Sequence, residues 1–217
     1  MKGGSAAVIL YDAVWAPNPR RVRMYLAEKG ISVDRRIVDL AGGENLREPF
    51  LSVNPRGTVP VLELDGDERI ADSVAICRYL EALHPDPPLF GRDALEIGRI
   101  ESWTRKIEAE GYAGVVFAFR NRNPRMADRA LSGYWPAVPQ LPELAMRGQN
   151  MWGWFVEMLD HHLDGRDWIA TDTYSFADLT ALMTVDFARA TRLSDGSLPS
   201  ALAAWHARAS ARPSAQA

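Results

Sequence analysis

The sequence predicts two unlike domains, an α/β domain followed by an all-helical domain. Short apolar runs alternate with helical patterns over residues 1–84, and no convincing strand follows them. Between the two lies His84-Pro85-Asp86-Pro87-Pro88, where three prolines in four residues cannot continue a helix. We therefore divide the chain into an α/β domain at 1–84, a proline-rich linker at 85–93 and a helical domain at 94–217. The length of 217 residues suits two small domains, because a single core typically serves about 100–200 residues.

The first domain opens with a β-α-β pattern. Ala7 to Tyr11 is a continuous apolar run of strand length, typical of a strand that is covered on both faces. From Pro19 to Lys29 apolar residues recur at helical spacing, and Gly30 follows as a left-handed stop. Val33 to Val38 is predicted as the second strand.

A hairpin and a third helix complete this domain. Val59 to Leu64 and Glu68 to Ile70 are predicted as antiparallel strands joined by an Asp65-Gly66 turn. Asp72-Ser73 then begins a helix, because both residue types are strong N-caps. A parallel crossover followed by a hairpin is an α/β arrangement rather than an all-helical one.

The second domain contains helical patterns only. Glycines weaken the first of them, and a proline-containing loop over 121–141 follows it. Ser175 and Asp178 have the spacing of a capping box, which we interpret as a helix start and nothing more. The final Ser, Ala and Pro residues are expected to fray. The helices are predicted at Ala94–Arg120, Leu144–Leu163, Phe176–Ala190 and Leu198–Ala209.

Composition excludes several classes of function. Lys and Arg total 25 against 28 Asp and Glu, a formal charge of −3 that offers no net basic field for nucleic acid or an anionic membrane. The single cysteine, Cys77, excludes an internal disulfide and a thiolate metal cage. The adjacent His161 and His162 would point about 100° apart on a helix, so no metal site is expected. No apolar run is long enough to span a bilayer or to form a signal-peptide core, and we expect a cytoplasmic protein.

Trp15 to Pro19, between the first strand and the first helix, is the first candidate site. A turn at this point aims unpaired backbone N–H groups and the positive helix end at a ligand, which suits an anion or a thiolate. The alternative is an ordinary helix start with Pro19 at the first helical position.

Two further segments have ligand-binding chemistry. Thr58-Val59-Pro60 stands just ahead of a strand, and a cis proline would turn the Val59 N–H and C=O outward toward a peptide-like ligand. The alternative there is a trans proline, the usual isomer. At Asp72-Ser73 the serine suits a carboxylate and the aspartate suits an ammonium, as at the zwitterionic end of an amino acid, whereas the alternative is a plain helix cap.

Four motifs in chain order resemble those of the cytosolic glutathione transferases, in particular a theta-like bacterial branch. Any one of them is weak, but together they span nearly the whole chain in the family's order. They are the opening Leu10-Tyr11…Pro17-Asn18-Pro19, the segment Asn54-Pro55-Arg56-Gly57-Thr58-Val59-Pro60-Val61-Leu62, the helix start Asp72-Ser73-Val74-Ala75-Ile76, and Phe176-Ala177-Asp178.

The resemblance implies a thioredoxin-like first domain packed on the all-helical second domain, as a homodimer. It implies that glutathione is the co-substrate and that no metal is needed. Backbone groups of Val59 would bind its cysteinyl part beside a cis Pro60, and Asp72 and Ser73 would hold the γ-glutamyl ammonium and carboxylate.

At the glycine end of glutathione the sequence departs from the family pattern. Thr58 belongs to the glutathione-binding segment, but it stands where a longer Lys or Gln is common and is too short to reach the glycine carboxylate. Arg47 or Arg56 would supply that charge, the alternative for each being a solvated surface role.

The position that activates the thiol also departs from the pattern. Ala16 stands where serine-type members carry a serine and cysteine-type members a thiol, so disulfide exchange through a protein cysteine is not expected. A helix N-terminus lowers the pKa of a thiol, and one charge-assisted hydrogen bond contributes about 1.5–3 kcal/mol. The predicted catalytic residue is therefore Asn18, acting with backbone groups and water, and Tyr11 is the alternative.

The function that this implies is the conjugation of glutathione, bound as the thiolate, to a small electrophilic and largely apolar substrate. The alternatives are a non-catalytic binding or scaffold protein of the same fold, and a glutathione-dependent peroxidase, isomerase or dehalogenase. Aromatic residues of the second domain would line the substrate site. The candidates are Trp103, Tyr112, Phe117, Phe119, Trp152 and Trp154.

Overall fold

A four-stranded mixed sheet with helices forms the first domain and helices alone form the second, as predicted. The computed structural model describes residues 8–65, 68–193 and 197–217. The strands are β1 Ile9–Asp12, β2 Asp34–Ile37, β3 Val61–Glu63 and β4 Arg69–Ala71. The helices are α1 Pro17–Lys29, α2 Phe50–Val53, α3 Ser73–Leu83, α4 Ala94–Lys106, α5 Ala113–Arg122, α6 Pro142–Leu163, α7 Phe176–Ala190 and α8 Ser200–Ser210.

The sheet has the strand order β2-β1-β3-β4. β1 runs parallel to β2 and antiparallel to β3, so that Leu10 stands opposite both Arg35 and Leu62. The central strand β1 is largely buried, whereas every residue of the edge strand β2 is exposed. An apolar run therefore predicted β1 well and β2 only approximately. Ala7, at the predicted start of β1, and Gly66, in the predicted hairpin turn, lie outside the described residues.

α4 and α5 belong to one helical run that contains a π-helical segment, Ile107–Tyr112. The prediction of a single long helix is correct in extent but missed this segment. A Cβ at Gly111 would lie 2.8 Å from the ring of Phe155 in α6, and one at Gly114 would lie 3.0 Å from the Gly148 carbonyl oxygen. The two glycines therefore mark a face of close helix packing.

The Ser175–Asp178 cap does more than begin α7. The buried Asp178 carboxylate accepts hydrogen bonds from the backbone N–H of Ser175, at 3.0 Å, and from its hydroxyl, at 2.9 Å. It also accepts from the Ile169 N–H and the Trp205 indole N–H, each at 2.9 Å. Burial raises the pKa of Asp178, and these four donors oppose that shift. The interpretation as a helix start alone is too narrow, because this carboxylate also ties α8 to α7.

The C-terminal residues pack against α1. Pro213–Gln216 form a 3-10 turn in which Ser214 and Ala215 are buried. Arg212 donates two hydrogen bonds of 2.7 Å to the Glu28 carboxylate of α1. The expectation that this tail frays is wrong, because its polar groups have partners on the first domain that composition does not reveal.

One hydrophobic core extends through both domains, from Leu10 in β1 to Trp205 in α8. Cys77 is fully buried in this core, as predicted, and burial raises the pKa of its thiol. None of the helices in the described part of the chain is both long and apolar enough to cross a membrane.

Candidate active site

A cleft with a cavity volume of about 130 Å³ opens beside the N-terminus of α1, with walls from both domains. The first domain contributes the turn before α1 and the segment ahead of β3, and the second contributes the end of the π-helical segment, α5 and the loop that follows it. The lining residues are Trp15, Ala16, Pro17, Asn18, Pro19, Leu40, Asn45, Gly57, Thr58, Val59, Tyr112, Val116, Phe119, Arg120, Met126, Ser132, Gly133 and Phe187.

The first turn of α1 leaves one backbone donor free. Pro17 and Pro19 have no N–H group, and the Arg20 N–H donates to the Ala16 carbonyl at 3.2 Å. The Ala16 N–H donates to Ala13 at 3.0 Å. Asn18 thus presents the free N–H of this turn, since none of the described residues accepts from it. The positive end of the helix is concentrated at Asn18, whose side chain lines the same cleft.

A buried ion cluster holds this turn in position. The Asp12 carboxylate, fully buried at the end of β1, lies 2.6 Å from Nη1 of Arg23 and also pairs with Arg35. Nη2 of Arg23 donates to the Val14 carbonyl at 2.8 Å, two residues before Ala16. Burial lowers the pKa of Arg23 and the Asp12 carboxylate opposes that shift. These buried charges therefore hold the turn before α1 in place, and they are not part of the cleft lining.

Tyr112, from the second domain, lines the cleft together with Asn18. Burial raises the pKa of Tyr112, while Arg21, Arg120 and the nearby Asn18 side chain oppose the shift, so the hydroxyl stays protonated at neutral pH. The sequence suggested Tyr112 only as a lining aromatic. Its position depends on the π-helical segment, a feature that often marks functional sites.

The segment ahead of β3 presents a free backbone edge to the cleft. The Val59–Pro60 bond is cis, as the resemblance implied, and no described residue pairs with the Val59 N–H or C=O. Asn54 fixes the preceding turn by donating to the carbonyl and hydroxyl of Thr58, at 2.8 and 3.0 Å. Gly57 has φ +62°, and a Cβ there would lie 2.8 Å from the carbonyl oxygen of Asn45. Thr58 and Val59 both line the cleft.

Asp72 and Ser73 form the N-terminus of α3, outside the lining of this cleft. The Asp72 carboxylate accepts from the Val74 and Ala75 N–H groups, and Asp72 has φ +85°, a backbone region that favours glycine. Buried Ser73 accepts a 3.3 Å hydrogen bond from Nη1 of Arg21. The serine proton is therefore free to donate to a ligand.

Arg21 is the functional candidate that sequence reasoning missed. Its side chain is almost fully buried one turn along α1 from Asn18, and Nη1 also lies 2.7 Å from a carboxylate oxygen of Glu108 on the π-helical segment. Nε and Nη2 have no partner among the described residues. A buried cation beneath Ser73 raises the electrostatic potential for anions at the start of α3.

Other predicted side chains have partners outside the cleft lining. Arg47 is exposed and donates to the Gly42 carbonyl at 2.7 Å. The Arg56 guanidinium lies 3.7 Å from the centre of the Trp135 ring. The role of either arginine toward a glycine carboxylate stays a prediction. The Tyr11 hydroxyl donates to Glu63 at 3.3 Å, and Tyr11 is not part of the cleft lining.

Of the six aromatic candidates, Tyr112 and Phe119 line the cleft. The other four do not: Trp152 is buried in the core, the Trp103 ring packs against that of His162, Trp154 is 65% exposed on α6, and Phe117 lies outside the lining. Within the described ranges there is no group of three or more His, Cys, Asp or Glu side chains that could hold a metal ion.

Comparisons with known proteins give the family of this chain. The family model described as Glutathione S-transferase, N-terminal domain, matches residues 15–83, and the C-terminal domain model of the same family matches 154–213. Glutathione S-transferase 2 of Saccharomyces cerevisiae is 35% identical over 95% of this chain and 87% of its own length.

Two solved structures have the same architecture over nearly the whole chain. Gtt2 from Saccharomyces cerevisiae superposes with a TM-score of 0.85 at 34% identity, covering 96% of this chain and 98% of its own. A glutathione S-transferase domain-containing protein from Marinobacter aquaeolei gives 0.83 at 32% identity, covering 95% and 98%. The first domain is accordingly thioredoxin-like, and this chain belongs to the glutathione S-transferase family.

Proposed function

We propose that this protein binds glutathione as the thiolate and conjugates it to a small, largely apolar electrophile. The observation that carries the proposal is the convergence of donors at Asn18. Its free backbone N–H, its side-chain amide and the Tyr112 hydroxyl meet in one cleft, opposite the unpaired backbone edge of Val59. Fixed donors at the positive end of a helix stabilise an anion without reorganising during the reaction.

The reaction needs little general acid–base chemistry. The thiol loses its proton to solvent on binding, because the donors favour the thiolate, and the sulfur lone pair then forms a C–S bond to the electrophilic carbon. The bond to the leaving group breaks with its electron pair. Holding the thiolate beside the electrophile supplies most of the rate enhancement in such a reaction.

In this proposal the residues of the first domain bind glutathione. The Val59 N–H and C=O pair with the cysteinyl backbone as a strand would, and the start of α3 takes the γ-glutamyl end. Ser73 donates to the carboxylate because Arg21 already occupies its acceptor side. The proposed glutathione-binding residues are Arg47, Thr58, Val59, Pro60, Asp72 and Ser73, and the proposed catalytic residue is Asn18.

A non-catalytic binding protein of the same fold is the second candidate, and Ala16 favours it because the usual hydroxyl is absent at that position. Calorimetric titration with glutathione, followed by a panel of aryl halides, epoxides and hydroperoxides, tests both. Binding with turnover supports the transferase and binding without turnover supports the alternative. No binding at millimolar glutathione would contradict both.

We extend the proposal to a cytoplasmic homodimer, as the family membership suggests. Light scattering coupled to size-exclusion chromatography tests the assembly. A monomer at micromolar concentration would contradict it.

A further inference from the structure

The charge that lines the cleft is of one sign. Among its lining residues in the described part of the chain, Arg120 is the one charged side chain, and no carboxylate stands with it. The other lining side chains are uncharged, and the Phe119 and Phe187 rings lie 5.7 Å apart in edge contact. A cation in such surroundings is stabilised by any anion that enters, because the local dielectric constant is lower than that of water.

Arg120 uses only one of its three guanidinium nitrogens for structure. Nη1 donates to the carbonyls of Arg129 and Leu131, at 2.8 and 2.9 Å, and so holds the loop after α5 against the cleft. Nε and Nη2 have no partner among the described residues and, unlike those of Arg21, are not sealed from solvent. Two adjacent N–H groups on a planar guanidinium match the two oxygens of a carboxylate.

The groups that face Arg120 leave this site cationic. Burial lowers the pKa of Arg120, Tyr112 opposes the shift and Arg129 adds to it, yet a guanidinium remains charged at neutral pH. The Glu108 carboxylate, on the π-helical segment before α5, is engaged by Arg21 and Arg105. A carboxylate ligand would therefore meet an uncompensated positive charge.

We infer that Arg120 selects electrophiles that carry a carboxylate, which it binds at the second-domain wall of the cleft beside the Phe119 and Phe187 rings. The inference rests on the proposed glutathione transferase function, since it assigns the second substrate of that same cleft. A carboxylate of glutathione itself is the other source of such an anion. Val59 and Ser73, which are proposed to hold the tripeptide, lie on the first domain, and this favours the electrophile as the ligand of Arg120.

A matched pair of substrates tests whether the carboxylate of the electrophile is recognised. A chlorodinitrobenzoate and its methyl ester both react by forming a C–S bond and releasing chloride with the electron pair, while the thiol proton goes to solvent. They differ in one carboxylate. We expect Arg120→Gln to lower kcat/KM for the acid relative to the ester by about tenfold, the size of one charge-assisted hydrogen bond.

Arg122→Gln is the matched control. Arg122 lies in the last turn of α5 and donates to the Thr191 and Arg192 carbonyls at 2.8 and 2.9 Å, but it is exposed and outside the cleft lining. The ratio of kcat/KM for the acid to kcat/KM for the ester in Arg122→Gln should equal that of the wild type. Arg120→Lys keeps the charge but loses the planar pair of N–H groups, so its acid-to-ester ratio of kcat/KM should lie between those of the wild type and Arg120→Gln.

Three results would overturn the inference. One is an unchanged acid-to-ester ratio of kcat/KM in Arg120→Gln, which would mean that Arg120 only stabilises the loop after α5. A second is equal loss in Arg120→Lys and Arg120→Gln, which would exclude charge recognition. The third is a loss of glutathione affinity in Arg120→Gln, measured by calorimetry, that is as large as the change in the acid-to-ester ratio. That result would mean that Arg120 binds a carboxylate of glutathione and not one of the electrophile. Failure of the wild-type protein to bind glutathione would instead refute the proposed function.

Discussion

Nη1 of Arg21 in α1 lies 2.7 Å from Oε1 of Glu108 in the π-helical segment, so an ion pair joins the two domains beneath the cleft. The same nitrogen donates to Ser73 at 3.3 Å. Only 2% of the Arg21 side chain is accessible, against 22% for Glu108. The position of Ser73 toward a ligand therefore depends on a residue from the second domain.

We expect Glu108→Ala to lower the free energy of unfolding by about 2–4 kcal/mol, because a buried guanidinium loses its counter-charge. Affinity for glutathione should fall as well, since Ser73 loses a positioned donor. Urea denaturation and calorimetric titration measure the two effects. Glu101→Ala is the control, since Glu101 pairs with Arg78 and Arg105 at the exposed surface and should cost less than about 1 kcal/mol. Equal effects in the two variants would show that the Arg21 pair has no special role.

Asn18→Ala should raise the pKa of the bound glutathione thiol by about one unit, which corresponds to about 1.4 kcal/mol of lost preference for the thiolate. Turnover at neutral pH should fall about tenfold. Ultraviolet absorbance of the thiolate against pH gives the first value directly. Asn150→Ala, on the exposed surface of α6, is the control.

Asn18→Pro separates the two donors of this residue. Alanine removes only the side-chain amide, whereas proline also removes the backbone N–H, and proline is tolerated in the first turn of a helix. The thiol pKa should therefore rise further in Asn18→Pro than in Asn18→Ala. Thiol pKa values and turnover unchanged in both variants would remove Asn18 from the mechanism.

The sequence predicted those parts of the fold that depend on local pattern. α7 lies at Phe176–Ala190, as predicted, because a capping pair marks its start and a continuous apolar pattern follows. The cleft-lining segments at Asn18 and Val59 were also identified, since prolines and caps mark turns.

What the sequence did not reveal depends on tertiary contacts. Arg20, Arg21 and Arg23 follow one another within four positions, and nothing local distinguishes the buried Arg21 and Arg23 from the half-buried Arg20. Their burial follows from partners on β1 and on the π-helical segment. The fixed C-terminal tail has the same origin, because Glu28 is far from it in the sequence.

Tyr112→Phe should act through the same donor cluster as Asn18→Ala. We expect the thiol pKa to rise in the single variant and the double variant to show less than the sum of the two shifts, because the two side chains are neighbours that line the same cleft. Thiolate absorbance in the four proteins of the cycle measures this coupling. Fully additive shifts would mean that Tyr112 and Asn18 act independently.

The Glu28–Arg212 pair should make the tail sensitive to acid. Burial of Glu28 works against its ionised form, but hydrogen bonds from Arg212 and Ser214 prevail and hold its pKa below the usual 4.5. A carboxyl whose pKa is lower in the folded state stabilises that state above the unfolded pKa, and the contribution disappears as the pH falls through the folded pKa. Detachment of the tail is therefore expected below about pH 4.5 and not near neutrality.

Hydrogen exchange of the Ala215 and Ala217 amides reports this detachment, because their N–H groups donate to the Arg212 and Ser214 carbonyls and exchange faster once the turn leaves α1. We expect Glu28→Gln to produce the fast exchange already at neutral pH and to lower the free energy of unfolding there by about 1–3 kcal/mol. Glu157→Gln, on the exposed face of α6, should change neither value. Slow exchange of the tail in Glu28→Gln at neutral pH would mean that burial of Ser214 and Ala215 holds the tail without the ion pair.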